Sequence, residues 1–166
     1  AGTTLLDVVL MGFNPYLGIF SSPGKREIRL AREALQRVGL RDREECDYEK
    51  LSEGQKQLVI LARAIAQNSP VMLLDEPSSS LDFVNCRHVL RLVRELVREN
   101  ERAGLITLHD PNLALQWCDR ILLLKDGQIL CKIDPRRDTR EHIRDSLSKL
   151  YGDIELLSYK GGYMMG

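Results

Sequence analysis

The sequence is poor in the features that would mark several common classes of protein. Its four cysteines, Cys46, Cys86, Cys118 and Cys131, are widely spaced, with no Cys-x-x-Cys pair and no histidine at ligand spacing, which argues against a zinc framework. Reduced thiols of an intracellular protein are the plainer reading. There is no excess of either charge, Lys+Arg and Asp+Glu both standing at 24, so no basic face for nucleic acid is expected. No apolar stretch reaches membrane-spanning length, and the run from Thr3 to Met11 is broken by Asp7 and has no basic leader. The expectation is a soluble, intracellular chain. No internal repeat and no low-complexity segment breaks it up. With 166 residues, 43% hydrophobic and 29% charged, it is long enough for one ordinary core, either a whole domain or a piece of a larger one.

The pattern divides near residue 50. Before it the chain reads as helical: in KREIRLAREALQRVG, Ile28, Ala31, Leu35 and Val38 share one face of a helix from Lys25 that ends at Gly39. Asn14 to Gly24 is rich in turn formers and reads as a loop from an earlier helix. After Leu51, strands and helices alternate. Ser52 and Gln55 match a capping box opening a helix to about Gln67, followed by the strand Val71–Leu74, expected to be fully buried and parallel. Asp82 caps a helix through Glu99 that turns Val89, Leu92, Val93, Leu96 and Val97 inward, and Gly104 to Leu108 is the next strand. Asp110-Pro111 opens a helix through Trp117, and Asp126-Gly127 joins the strands Ile121 to Lys125 and Gln128 to Ile133 as a hairpin. A charged linker, a helix near Thr139 to Leu150 and an interrupted tail complete the chain.

Functional groups of open parallel sheets gather beyond the carboxyl ends of the strands. Glu76 and His109 both stand there, thirty-three residues apart, a distance that one crossover helix spans, so both are expected to face one crevice. A carboxylate and an imidazole at one phosphate would suit water activation and charge-sensitive contact. Each piece alone has a bland structural explanation: a solvated strand end, an ordinary helix cap, a hydrogen-bonded boundary histidine. Their joint occurrence in this order outweighs the separate explanations.

At these residues the sequence resembles the ATP-binding-cassette (ABC) family. Leu51-Ser52-Glu53-Gly54-Gln55 resembles its signature, VMLLDEP at 71 to 77 its Walker B strand with the following glutamate, SSSLD at 78 to 82 its D-loop, and ITLHD at 106 to 110 its switch-histidine strand. The resemblance covers about residues 3 to 133, with one departure: Glu53 stands where glycine is commoner and adds a negative charge near a phosphate site. It implies an α/β fold, the C-terminal part of a P-loop NTPase (RecA-like) cassette. The implied segments are a partial helical subdomain over 1–50, the signature helix and parallel-sheet βαβ core over 51–133, and a C-terminal helix and tail over 134–166.

The resemblance also implies roles. Asp75 would hold Mg²⁺ through water, and Glu76 would orient or deprotonate the attacking water. His109 would contact the γ-phosphate of ATP. Leu51, Ser52, Glu53, Gly54 and Gln55, at a helix N-terminus, would cap ATP held by a second nucleotide-binding subunit, and Asp82 would communicate across that dimer. VLMGFNPYLGIFSSPGK, from Val9 to Lys25, resembles the helical segment of importer ATPases for iron-siderophore, haem or cobalamin. That implies a peripheral subunit on the cytoplasmic face of the membrane, working with transmembrane permease subunits and a periplasmic or surface substrate-binding protein, and no nucleic acid.

The P-loop is not in this sequence. The single Gly-Lys pair, Gly24-Lys25, has Ile19 where the motif needs its first glycine and Arg26 where it needs Ser or Thr. Truncation is the expectation, with the isolated chain inactive. The rivals are a soluble non-transport ABC protein, which should carry basic inserts or tandem cassettes, and a non-catalytic half lending its signature in trans.

Overall fold

A computed structural model describes residues 2–16, 22–99, 101–159 and 161–166. The chain forms two compact units, Ala1–Thr107 and Leu108–Gly166.

The first unit opens with helix α1 (Leu5–Leu10), started by a reciprocal Thr4–Asp7 capping box. The hydroxyl and the amide of Thr4 both reach the Asp7 carboxylate, which holds that group below the usual carboxylate range. A 3₁₀ turn, Met11–Tyr16, takes up the beginning of the expected loop; residues 17–21 of that loop lie outside the described residues. Helix α2 (Lys25–Arg37) begins with the Glu27 carboxylate accepting from the Gly24 amide at 2.9 Å and buries Ala31, Ala34 and Leu35. Helix α3 (Glu53–Gln67) buries Val59, Leu61, Ala62, Ile65 and Ala66, and packs on both α1 and α2. Strand β1 (Val71–Leu74), helix α4 (Phe83–Glu99) and strand β2 (Ala103–Ile106) follow as a βαβ unit, with Val71 opposite Ala103 and Leu74 opposite Ile106 in a parallel pair. Leu5, Val9, Leu35, Val59, Val89 and Leu96 are essentially inaccessible to solvent. Each such side chain contributes roughly 1.5–3 kcal/mol by leaving water.

Strand β1 departs from the sequence expectation. Only Met72 is buried, while Val71 and Leu73 are 51% and 71% exposed, because alternate side chains point to opposite faces and only one face is packed within this unit. Strand β2 also ends earlier than expected, at Ile106.

In the second unit, helix α5 (Pro111–Trp117) starts at an Asp110 cap with proline in its first turn. The hairpin β3 (Ile121–Lys125) and β4 (Gln128–Ile133) turns at Asp126 and Gly127, both at positive φ, the backbone shape that makes an Asp-Gly pair a strong hairpin signal. Helix α6 (Arg140–Tyr151), capped by the Thr139 hydroxyl, lays Ile143 and Leu147 on the hairpin's Ile121, Leu123 and Ile133. The tail is not simply interrupted. It forms a second hairpin, β5 (Leu156–Tyr159) and β6 (Gly162–Met165), clamped by the Asn112 side-chain amide, which accepts from the Met165 amide at 2.6 Å and donates to its carbonyl at 3.2 Å. Among the described residues, no helix is long and apolar enough to cross a membrane.

Candidate functional site

Helix α3 begins in solvent. Ser52 has extended backbone (φ −64°, ψ 157°), its hydroxyl oxygen accepts from the Gln55 amide at 3.3 Å, and the Gln55 side-chain oxygen accepts from the Ser52 amide at 3.2 Å. The reciprocal pair satisfies two orphan groups and fixes the first turn. Because the serine oxygen is used as an acceptor, its O–H remains a donor at the positive end of the helix dipole, a combination suited to an anion. Leu51 is buried and anchors the turn, while Ser52 and Glu53 are exposed. The carboxylate of Glu53 meets the Lys56 ammonium at 3.1 Å, so the additional negative charge at the helix start has a cation one turn away.

Gly54 stands against the turn that follows β1. A Cβ there would lie 3.2 Å from the Ser80 carbonyl oxygen and 3.3 Å from Leu81, so any side chain at the first turn of α3 would press on the turn after β1. The turn itself carries Asp75, exposed, and Glu76, half-buried, directly beyond β1. Glu76 adopts φ +43°, the left-handed region that a non-glycine residue enters at a cost of about 1–2 kcal/mol.

Thr107, just past the parallel partner strand, holds both acidic residues. Its hydroxyl donates to Asp75 Oδ1 at 2.6 Å, and the same oxygen accepts the Glu76 amide at 2.8 Å. From α3, Gln57 donates through Nε2 to the Glu76 carbonyl at 3.0 Å. Neither residue stood out in the sequence. The signal for Thr107 is the strand register, Leu74 opposite Ile106, which sets residue 107 beside residue 75 and is not legible from periodicity alone. The signal for Gln57 is weaker still, a polar residue on the partly buried side of an amphipathic helix.

Asp82 accepts from the Asn85 amide at 2.9 Å and from the Asn85 side chain at 2.7 Å, so it acts here as the cap of α4. Those two bonds, the backbone one foremost, hold its carboxyl below the usual range. His109 belongs to the second unit, exposed in the bend before the Asp110 cap, whose carboxylate accepts from the Asn112 amide at 2.8 Å. The first unit thus brings together Leu51–Gln55, Asp75, Glu76 and Asp82, and the second carries His109.

The donor present is a hard one, suited to an oxygen-liking cation. Asp75 offers hard carboxylate oxygen at a solvent-facing strand end, and among the described residues no group of three or more His, Cys, Asp or Glu could hold an ion. A single carboxylate of this kind suits Mg²⁺, which keeps several waters and shares itself between one or two carboxylates and phosphate oxygens.

Comparison with known proteins gives one answer. Residues 4–79 match the ABC transporter family. The chain is 33% identical over 148 residues to a "probable iron chelatin transport ATP-binding protein" of Helicobacter pylori, covering 89% of this chain and 57% of that protein. It is 38% identical over 157 residues to a phosphonates import ATP-binding protein of Pseudomonas aeruginosa, covering 90% and 54%. The chain therefore spans a little over half the length of these curated relatives. It also superposes on a solved structure described as "an inward-facing conformation of a putative metal-chelate type ABC transporter", with a TM-score of 0.83 at 29% identity, over 99% of this chain and 65% of the other.

Proposed function

The chain belongs to the ABC transporter family and has the fold of its P-loop ATPase cassettes, and from that premise we propose that the protein carrying it hydrolyses ATP to drive import across a membrane. The observation that carries the proposal is the acidic corner after β1, where one threonine hydroxyl holds Asp75 and fixes the amide of Glu76 beside the start of α3. Nothing in the packing of a strand end requires two carboxylates and a strained backbone.

In this reading Asp75 would hold Mg²⁺ through water, and Glu76 orients the attacking water and accepts its proton as the new oxygen–phosphorus bond forms and the bond from the γ-phosphorus to the bridging oxygen breaks, releasing ADP. His109 contacts the γ-phosphate. The Mg²⁺ supplies charge neutralisation at the phosphates when bound. Ser52, Gly54 and Gln55, with Leu51 anchoring the turn and Glu53 beside them, cap nucleotide held by a second subunit, and Asp82 joins cap and contact across the dimer. No GxxxxGK[ST] motif stands in this sequence.

The work is coupled to transmembrane permease subunits from the cytoplasmic side, fed by a substrate-binding protein, with residues 1–50 as part of the helical subdomain that grips the permease, 51–133 as the catalytic core and 134–166 as a C-terminal appendage. Relatives are named for iron chelatin and for phosphonates. The likeness of Val9 to Lys25 to the metal-chelate importers favours an iron-siderophore, haem or cobalamin cargo. The test is Glu76→Gln in the full-length protein: turnover should fall by roughly 10²- to 10⁴-fold while ATP-dependent dimerisation survives, because the amide keeps the shape and loses the base. Near-normal hydrolysis would remove Glu76 from this role.

A further inference from the structure

Glu76 is held from both sides of its own Cα. On the amino side its N–H donates to Thr107 Oγ1 at 2.8 Å, from the end of β2. On the carboxyl side its carbonyl accepts the Ser79 amide at 3.1 Å and the Ser79 hydroxyl at 3.0 Å, both from its own turn. Gln57 arrives at that carbonyl from another element, through a partly buried bond of 3.0 Å. A carbonyl oxygen can only accept, so the nitrogen of the Gln57 amide must face it, and the orientation of that side chain is determined.

The conformation so held is left-handed, φ +43°, which a glutamate keeps only when its surroundings over-determine it. In that conformation the Cα–Cβ bond leaves the chain in a direction that ordinary extended or helical backbone would not give, so the carbonyl bonds that hold φ and ψ also aim the carboxylate. Gln57 lies in the first turns of α3, three residues beyond Gly54, where a Cβ would lie 3.2 Å from the Ser80 carbonyl oxygen and 3.3 Å from Leu81 of the same turn. A rotation or shift of α3 therefore acts on the 76–81 segment at two points, by contact at Gly54 and by hydrogen bond at Gln57.

We propose that Gln57 is a positioning residue for hydrolysis, tying the aim of Glu76 to the helix whose N-terminal turn caps the partner's nucleotide. The proposal rests on the ATPase reading above. It makes engagement of the Leu51–Gln55 turn in one site a condition for a well-aimed glutamate in the other, carried by a side chain that touches neither nucleotide.

The experiment uses the full-length protein and steady-state hydrolysis of Mg-ATP. Gln57→Leu removes the donor at similar volume; kcat should fall roughly ten- to a hundredfold with KM for Mg-ATP unchanged, since a misplacement of about 1 Å at a reacting group is worth on the order of 10²-fold. Gln57→Lys, which restores an N–H donor of similar reach, should recover part of kcat. Combined with Glu76→Gln, Gln57→Leu should cost nothing further, because a glutamate that has lost its base has no aim to lose. Thermal unfolding and ATP-dependent dimerisation of each variant separate loss of fold from loss of aim. Wild-type kcat in a folded Gln57→Leu, a raised KM alone, or full additivity with Glu76→Gln would each overturn the proposal. If the wild-type protein does not hydrolyse ATP, or Glu76→Gln leaves hydrolysis intact, the underlying ATPase reading has failed and Gln57 falls with it.

Discussion

The two units of the chain differ in how they hold their shape. Among the described residues the first gathers twenty buried hydrophobic side chains into one cluster, from α1 through α4, whereas the second gathers seven under two hairpins and α6. Dense packing is what allows a backbone to be kept in an unfavourable conformation, and the left-handed glutamate with its three-sided hydrogen bonding stands in the first unit. The second unit relies more on individual hydrogen-bonding devices: the Asp126-Gly127 turn, the Thr139 cap and the Asn112 clamp on β6. Its candidate residue, His109, is exposed in a bend beside a helix cap. The packed unit is the one that holds a glutamate at a backbone angle against its preference.

That contrast can be broken most forcefully through the cores. Leu35→Ala in the first unit should cost roughly 2–5 kcal/mol, by lost transfer energy plus the cavity left behind, and Ile143→Ala in the second should cost a similar amount. The sequence has one tryptophan, Trp117, which lies in the second unit, so its fluorescence reports that unit while far-UV circular dichroism is weighted towards the helices of the first. In urea, Leu35→Ala should move the dichroism transition and leave the fluorescence transition in place, and Ile143→Ala should do the reverse. Equal shifts of both signals in both variants would mean that the two units unfold as one cooperative body, and the contrast would lose its thermodynamic content.

A smaller effect tests how tightly the first unit is packed. At Gly12 a Cβ would fall 2.9 Å from the Arg63 carbonyl oxygen and 3.0 Å from Arg63 Cγ, where the nearer atom is helix backbone and cannot swing aside. Gly12→Ala should cost about 1–3 kcal/mol by overpacking, read from the same dichroism transition. An unchanged midpoint would show that the 3₁₀ turn slides freely over α3.

Much of this was legible in the sequence, and the failures have physical causes. Strand β1, helix α5 and the β3–β4 hairpin lie where cap, proline and Asp-Gly signals set them, because those signals are local. The burial of β1 was overestimated, since an apolar run states what a strand can bury and not what covers it: Leu73 and Leu105 are both largely exposed. The β5–β6 hairpin was missed because its stability comes from Asn112, some fifty residues away, and not from a turn signal strong enough to stand alone. In the site, the acidic pair and the capping box could be read from spacing. Thr107 and Gln57 could not, because their roles depend on strand register and on which face of α3 meets the turn.

The smallest effect concerns the one departure from the signature pattern. Glu53 places a carboxylate at a helix start proposed to meet phosphate, where two negative charges would repel. Lys56 answers it: the ammonium lies 3.1 Å from Glu53, 4.0 Å from Glu49 and 5.8 Å from the centre of the Tyr48 ring. The hydrogen bond to Glu53, foremost among these, raises the Lys56 amine above its ordinary value. The sign follows directly. A cationic group whose value is raised on folding makes its full contribution below the unfolded value of 10.5 and loses it only as pH rises through the higher folded value, so the neutralisation is constant through the neutral range. Lys56→Gln in the full-length protein should therefore leave Glu53 uncompensated at every neutral pH and weaken ATP-dependent dimerisation by about two- to fivefold, as expected of an exposed pair. Glu53→Gly in the Lys56→Gln background should restore it, and raising the salt concentration should shrink the difference by screening. Dimerisation measured by sedimentation at two ionic strengths decides the matter. If Lys56→Gln is neutral at low salt, or if Glu53→Gly fails to rescue it, the carboxylate does not face phosphate and Lys56 is an ordinary surface cation.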